Sequence, residues 1–105
     1  MNTSVNSSAL PSLTEGNAED VLLARYAKAL GHPTRVQILR FLLRGDACMC
    51  GEICDVLPLA QSTVSQHLKV LRDANLIHGE IDGPRVCYSP NRDALRHLQS
   101  LLGAL

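Results

Sequence analysis

Four cysteines are the residues of this 105-residue chain best suited to chemistry, and three of them, Cys48, Cys50 and Cys54, fall within seven residues. Cys87 stands apart. In an exported miniprotein such spacing reads as disulfides; in a cytosolic chain, the expectation here, it reads as metal or redox chemistry. Cys50 and Cys54 are i and i+4, so they share a face if a helix begins by Cys50, and Cys48 in the preceding loop folds back toward them. A thiol near a helix N-terminus ionises more easily, which favours soft, thiophilic ions. Cys54 fits equally well as a small core residue, because free cysteine is among the most buried types. Cys87 alternates with Val86 and Tyr88, so it points to the other face of its segment. It is a spare thiol, or a third ligand if that segment folds toward the cluster.

Other site chemistries find less support. Asp93 and His97 form a single i, i+4 pair, with no second His or Glu in Gln99–Leu105, whereas closed zinc sites take four ligands. A helix-stabilising contact is the expected role. His32, His67 and His78 have no metal-ligand partner visible in the sequence, and His67 is placed near DNA or the core. There is no Cys-x-x-Cys, no phosphate-binding glycine loop and no acid pair, so an enzyme is not expected.

Composition sets the frame for these residues. Apolar residues make up 46% and charged residues 19%, the balance of a globular domain, but aromatics are only 3%. The core must then be Leu, Val, Ile and Ala, and one so thin in a chain this short points to dimerisation. Ten basic residues balance ten acidic ones. That argues against a non-specific nucleic-acid coat while leaving room for a local basic face. No apolar run approaches the roughly 20 residues of a bilayer span. A soluble, cytoplasmic protein with no membrane partner is expected.

The elements that must position the thiols follow from caps, breakers and periodicity. Residues 1–16 are rich in Ser, Asn and Thr without periodicity and read as a disordered tail; residues 17–105 read as one domain. Asn17 caps a helix through Val21, Leu22, Ala24 and Tyr26 to about Leu30, with Glu19 and Asp20 in its first turn. Pro33 starts the next helix, whose apolar stripe is Val36, Leu39, Leu42 and Leu43, up to Gly45. A short helix, Glu52–Leu57, is closed by Pro58. Gln61-Ser62-Thr63 opens another, with Val64, Leu68 and Leu71 inward and Asn75 near its end. Ile77–Ile81 and Arg85–Tyr88 alternate like strands around Asp82-Gly83, a hairpin signal. Asn91 caps a last helix with a stripe of Leu95, Leu98, Leu101, Leu102 and Leu105.

The order is four helices, a hairpin and a helix, which is a mainly α winged helix-turn-helix. The outward face of the Gln61 helix carries Gln61, Ser62, Ser65, Gln66 and Lys69. Their amide, hydroxyl and ammonium groups suit base edges. Arg85, just past the hairpin tip, is placed to touch phosphate or minor groove.

At this point the chain resembles the ArsR/SmtB winged-helix repressors. The residues that carry the resemblance are Leu30-Gly31-His32-Pro33-Thr34-Arg35, the run from Ala60 to Arg72, Ala74-Asn75-Leu76-Ile77, and the hairpin into Val86-Cys87-Tyr88. The resemblance covers about residues 20 to 100. It implies a homodimeric repressor that binds a palindromic double-stranded operator and releases it when an effector binds. Gln61, Ser62, Thr63, Ser65, Gln66 and Lys69 would then contact DNA, with Thr34, Arg35 and Arg85 on the backbone. Val21, Leu22 and Tyr26 would pack with Leu95, Leu98 and Leu102 across the two-fold axis.

Arsenic and cadmium sensors of the family carry Cys-x-Cys where Cys48 and Cys50 stand, and the arsenic type adds a third Cys after two intervening residues. Here three residues separate Cys50 from Cys54. The resemblance thus implies trivalent arsenic or antimony as inducer, no resident cofactor, and Cys48, Cys50 and Cys54 as ligands, with Cys87 as the alternative third. The competing reading in the same fold is a thiol-redox or other soft-metal (cadmium or lead) sensor. Cys48 and Cys50 are poorly spaced for a relaxed disulfide with each other.

Overall fold

The computed structural model describes residues 17–45, 57–83 and 85–105. Within them the chain forms α1 (Ala18–Ala29), α2 (Pro33–Arg44), α3 (Gln61–Asp73), strands β1 (Ile77–Asp82) and β2 (Arg85–Pro90), and α4 (Arg92–Gly103). The expected Glu52–Leu57 helix, apart from Leu57, lies outside the described residues, as do the 1–16 tail and Cys48, Cys50 and Cys54.

Each helix start has a local cause. Asn17 Oδ1 accepts the Asp20 amide at 2.8 Å, and Glu19 and Asp20 sit at the positive end of the α1 dipole. Pro33 occupies the first turn of α2, where its missing N–H costs nothing, and His32 Nδ1 accepts the Thr34 amide at 3.1 Å. Asn91 Oδ1 caps α4 by accepting the Ala94 amide at 3.1 Å. Ala60, the cap of α3, offers no side-chain acceptor. The first-turn amides of that helix are therefore left to other partners.

The core lies where α2, α3 and the hairpin converge. Ile38, Leu42, Val64, Leu71, Leu76 and Ile77 are essentially inaccessible to solvent. Each such side chain is worth about 1.5–3 kcal/mol when fully buried. On α3 the buried set is Val64, Leu68 and Leu71, the i, i+4, i+7 stripe that the periodicity calls for. On α2 it is Ile38, Leu39 and Leu42. Val36 and Leu43, expected on that stripe, are only half-buried, because the helix turns Ile38 to the centre of the core.

The hairpin is an antiparallel pair in register from Ile77↔Pro90 to Asp82↔Arg85. Its turn uses Gly83 at φ 63, in the left-handed region that glycine enters without steric cost. Gly79 also has a packing reason. A Cβ there would meet the Tyr88 ring at 3.2 Å, Val86 at 3.3 Å and the Arg72 stem at 3.5 Å. The absent side chain lets the last turn of α3 lie against the hairpin.

Between α3 and β1 the chain turns at Asn75, whose φ of 67 is the one positive value at a described non-glycine residue. Asn91 holds this corner from the other end of the hairpin. Its Nδ2 donates to the Asn75 carbonyl at 2.8 Å and its backbone N–H to the Leu76 carbonyl at 2.9 Å. Asn91→Ala removes both the α4 cap and the corner tie. The expected loss is about 1–2 kcal/mol of stability, read as a lower urea midpoint at unchanged slope. Asn91→Asp keeps the cap acceptor and loses only the donor, so it should fall between the two.

Candidate nucleic-acid interface

The site begins with how α3 divides its residues. Val64, Leu68 and Leu71 anchor it, which turns Gln61, Ser62, Ser65, Gln66 and Lys69 outward, all exposed. Thr63 is half-buried at the edge of this face. The exposed set consists of short or planar hydrogen-bonding side chains that present donors and acceptors without apolar bulk. That is a surface matched to base edges in a major groove.

Lys69 is not wholly at liberty. Its Nζ pairs with Asp73 Oδ2 at 2.9 Å, one turn on, and Arg72 Nε lies 3.8 Å from Asp73 Oδ1. The hydrogen bond from Lys69, then the charges of Lys69 and Arg72, hold the Asp73 carboxyl below its ordinary value. Both partners of the Lys69–Asp73 pair are well exposed, so the pair orients Lys69 more than it stabilises the fold.

Thr34 and Arg35 begin α2, beside this helix. Thr34 is half-buried. Arg35 is folded inward: Nη1 donates to the carbonyls of Lys28 and Ala29, both at 3.2 Å, and Nε donates to His67 Nδ1 at 3.2 Å. The guanidinium thus ties the end of α1 to α3, a structural task that the sequence did not reveal. His67 also meets His32, with ring centroids 4.5 Å apart and planes tilted by 48°. Partial burial, then His32 and Arg35, hold the His67 pKa below its ordinary 6.5.

The hairpin stands at the far end of α3, with Arg85 opening β2 directly after the turn. Ile81 is 84% exposed and pairs with the partly exposed Val86 across the strands. Cys87, the one cysteine among the described residues, is buried mid-strand opposite Glu80. It lies on the opposite face of β2 from Val86, which is partly exposed, and Tyr88, which packs on the core.

The residues expected across a two-fold axis separate into two groups. Val21 and Leu102 are more than half exposed, and Leu22 and Leu95 are half-buried. Tyr26 and Leu98 are instead buried within the single chain, as part of the core that joins α1 to α4. Tyr26 lies on the same side of α1 as Ala29, so its ring fills the chain's own thin core. The expected Asp93–His97 contact is replaced by an Asp93–Arg96 pair, one residue shorter in spacing, where the fixed guanidinium charge wins. No helix among the described residues is long and apolar enough to cross a membrane.

Comparison with known proteins agrees with this geometry. Residues 30–80 match the model of a helix-turn-helix domain. The chain is 41% identical over 83 residues to the HTH-type transcriptional regulator CmtR of Mycobacterium tuberculosis, covering 79% of this chain and 67% of that protein. It is 37% identical over 83 residues to the arsenical resistance operon repressor of Bacillus subtilis, covering 75% and 78%. Among solved structures, an ArsR-like transcriptional regulator from Rhodococcus sp. RHA1 superposes with a TM-score of 0.74 at 23% identity, over 84% of this chain and 82% of that one. The α3 face, the hairpin beside it and these matches lead to one assignment: the chain belongs to the ArsR/SmtB family of winged helix-turn-helix transcriptional regulators.

Proposed function

We propose that this regulator is a homodimeric repressor that holds a palindromic operator and releases it when trivalent arsenic or antimony binds its clustered thiols. The observation that carries the DNA half is the outward face of α3, where Gln61, Ser62, Ser65 and Gln66 stand clear of the core beside the hairpin. Gln reads adenine edges, and each good base contact discriminates by about 1–3 kcal/mol. Gln66→Ala should therefore change which operator bases are preferred. Arg85→Ala should weaken all sequences alike and reduce the salt slope by about one. Normal operator binding by both variants, measured by fluorescence anisotropy, would mean that α3 does not read the operator.

The effector half rests on chemistry: Cys48, Cys50 and Cys54 lie within seven residues just before α3. A pyramidal arsenic(III) centre wants three soft thiolates, and softness of this kind selects against oxygen-loving ions. Similarity to an arsenical resistance repressor supports the same ligand class. Cys48 and Cys50 form the core of the proposed site, with Cys54 as third ligand and Cys87 as its rival. The test is operator release titrated in turn with arsenite, antimonite, cadmium, lead, zinc and peroxide. Release by arsenite or antimonite at the lowest concentration supports the reading. Release by peroxide with a loss of two protons in mass makes the protein a thiol-redox sensor instead.

A further inference from the structure

His32 and His67 belong to neither the base-reading face nor the thiol cluster, yet the fold brings their rings together. Each uses Nδ1 as an acceptor, His32 from the Thr34 amide and His67 from Arg35 Nε. Both donors can only donate, so each Nδ1 is unprotonated and each Nε2 carries the ring hydrogen. That tautomer leaves no lone pair at Nε2 for a metal, and the pair is better suited to sensing protons than to binding ions. Arg35 spans three elements at once: its other bonds go to the Lys28 and Ala29 carbonyls at the end of α1.

We infer that His67, with Arg35 and His32, is a proton-sensitive positioning residue that locks α3 to the α1–α2 corner, so that acidification lowers operator selectivity. This rests on α3 being the operator-reading helix. A proton on His67 Nδ1 turns the acceptor into a donor facing Arg35 Nε–H, and the bond between α2 and α3 is lost. The new imidazolium also meets the Arg35 cation and the His32 ring. The His32 ring, its centroid 4.5 Å away, gives that charge no acceptor to turn to, because its own Nδ1 is taken by the Thr34 amide.

The charged groups nearby offer little relief. From α1, Lys28 and Arg25 line the groove beside Arg35, and from α3 the Asp73 carboxylate in that groove is engaged by Lys69. The lowered His67 pKa gives the sign. Above the ordinary 6.5 both folded and unfolded chains are neutral at this ring and the stabilisation is complete. As pH falls from there toward the lowered native value, the unfolded chain binds the proton first and stability is lost. Non-specific DNA attraction moves the other way, since the proton adds positive charge to α3. Selectivity and raw affinity are thereby separable.

The experiment compares the full chain's affinity for operator and for a scrambled fragment at fixed salt, without metal, from about pH 8 to about pH 5.5. In the wild type the ratio should fall about tenfold, the worth of one charge-assisted hydrogen bond. His67→Asn places an amide oxygen where Nδ1 stood and takes up no proton, so its ratio should stay high and flat. His67→Phe has no acceptor, and its ratio should be low and flat. His78→Asn and His97→Asn alter exposed rings and should keep the wild-type slope. A flat wild-type ratio, or an unchanged slope in His67→Asn, overturns the inference. Nitrogen-15 NMR of the free wild-type protein gives a reading independent of DNA and of variant folding. His67 Nδ1 should take up its proton below the ordinary 6.5 and within the pH range of the binding assay, and titration at or above 6.5 overturns the lock. Absence of operator preference at every pH would instead count against α3 as the reading helix, and the NMR titration would still decide the lock.

Discussion

Leu102→Asp, alone or with Val21→Asp, will convert the protein to a folded monomer at micromolar concentration and reduce operator affinity by orders of magnitude. Val21 is 58% exposed, Leu102 51% and Leu105 90%, an apolar surface on the outer side of α1 and α4 that the single chain does not cover. The buried residues of α4 are Ala94, Leu98 and Leu101. Leu95 and Leu102, seven residues apart, form an adjacent stripe on the same helix. In a two-fold interface every substitution is made twice, so two carboxylates enter an apolar patch together. Each lost leucine contact is worth about 1.5–3 kcal/mol before the charge is counted. A monomer grips one half-site only, and the affinity gained by linking two half-sites disappears. Far-UV circular dichroism should show the helices intact, because Leu102 lies outside the chain's own core. Leu98→Asp is the contrast: it strikes a residue 7% exposed within one chain and should unfold it. Light scattering that gives a dimer for Leu102→Asp at the same concentration would place the interface elsewhere.

How far the sequence foretold this fold depends on the range of the interactions. Capping and turn chemistry is local and was legible: Asn17, Pro33 and Asn91 start their helices and Gly83 makes the hairpin turn, as their types require. The α3 stripe of Val64, Leu68 and Leu71 was legible for the same reason, since helical period alone decides it. Contacts that depend on how helices cross were not. Arg35 reaches a ring 32 residues away, and nothing in linear spacing pairs His32 with His67. Tyr26 and Leu98 show a related limit. An apolar stripe states that a face will be buried, without stating whether the same chain or a second copy buries it. The Lys69–Asp73 pair was within reach of the i, i+4 rule but competes with a DNA-contact reading of Lys69, and both uses draw on one ammonium group. Of the thiol site, residue types and spacing give a soft-ligand cluster, and the arsenic(III) reading comes from the family resemblance.

Cys48→Ser and Cys50→Ser will each bind operator like the wild type and fail to release it with arsenite. Serine keeps the size and removes the soft donor, so the DNA-free and DNA-bound forms remain while the ion loses its grip. Inducer action is a coupling free energy between thiols and operator, ordinarily about 1–3 kcal/mol, or about 5–150-fold in operator affinity. Removing either core thiol should bring that factor close to one. The third ligand is graded: one of Cys54→Ser or Cys87→Ser should weaken the response, and the other should leave it intact. Cys87 is buried mid-strand opposite Glu80, so its use would require β2 to expose a covered thiol to the cluster. Cys54 needs no such movement if a helix begins by Cys50, and is placed first on that ground. On the proposed reading, binding would pull residues 46–49 toward the expected Glu52–Leu57 helix, which precedes α3 in sequence, so the two reading helices of a dimer would be reset relative to their half-sites. The measurement is anisotropy of a labelled operator fragment under arsenite titration, with thiol absorbance in the near ultraviolet reporting As–S bonds in the same samples. If the Cys48→Ser, Cys50→Ser double variant releases operator at the same arsenite concentration as the parent, the inducer site lies outside this cluster.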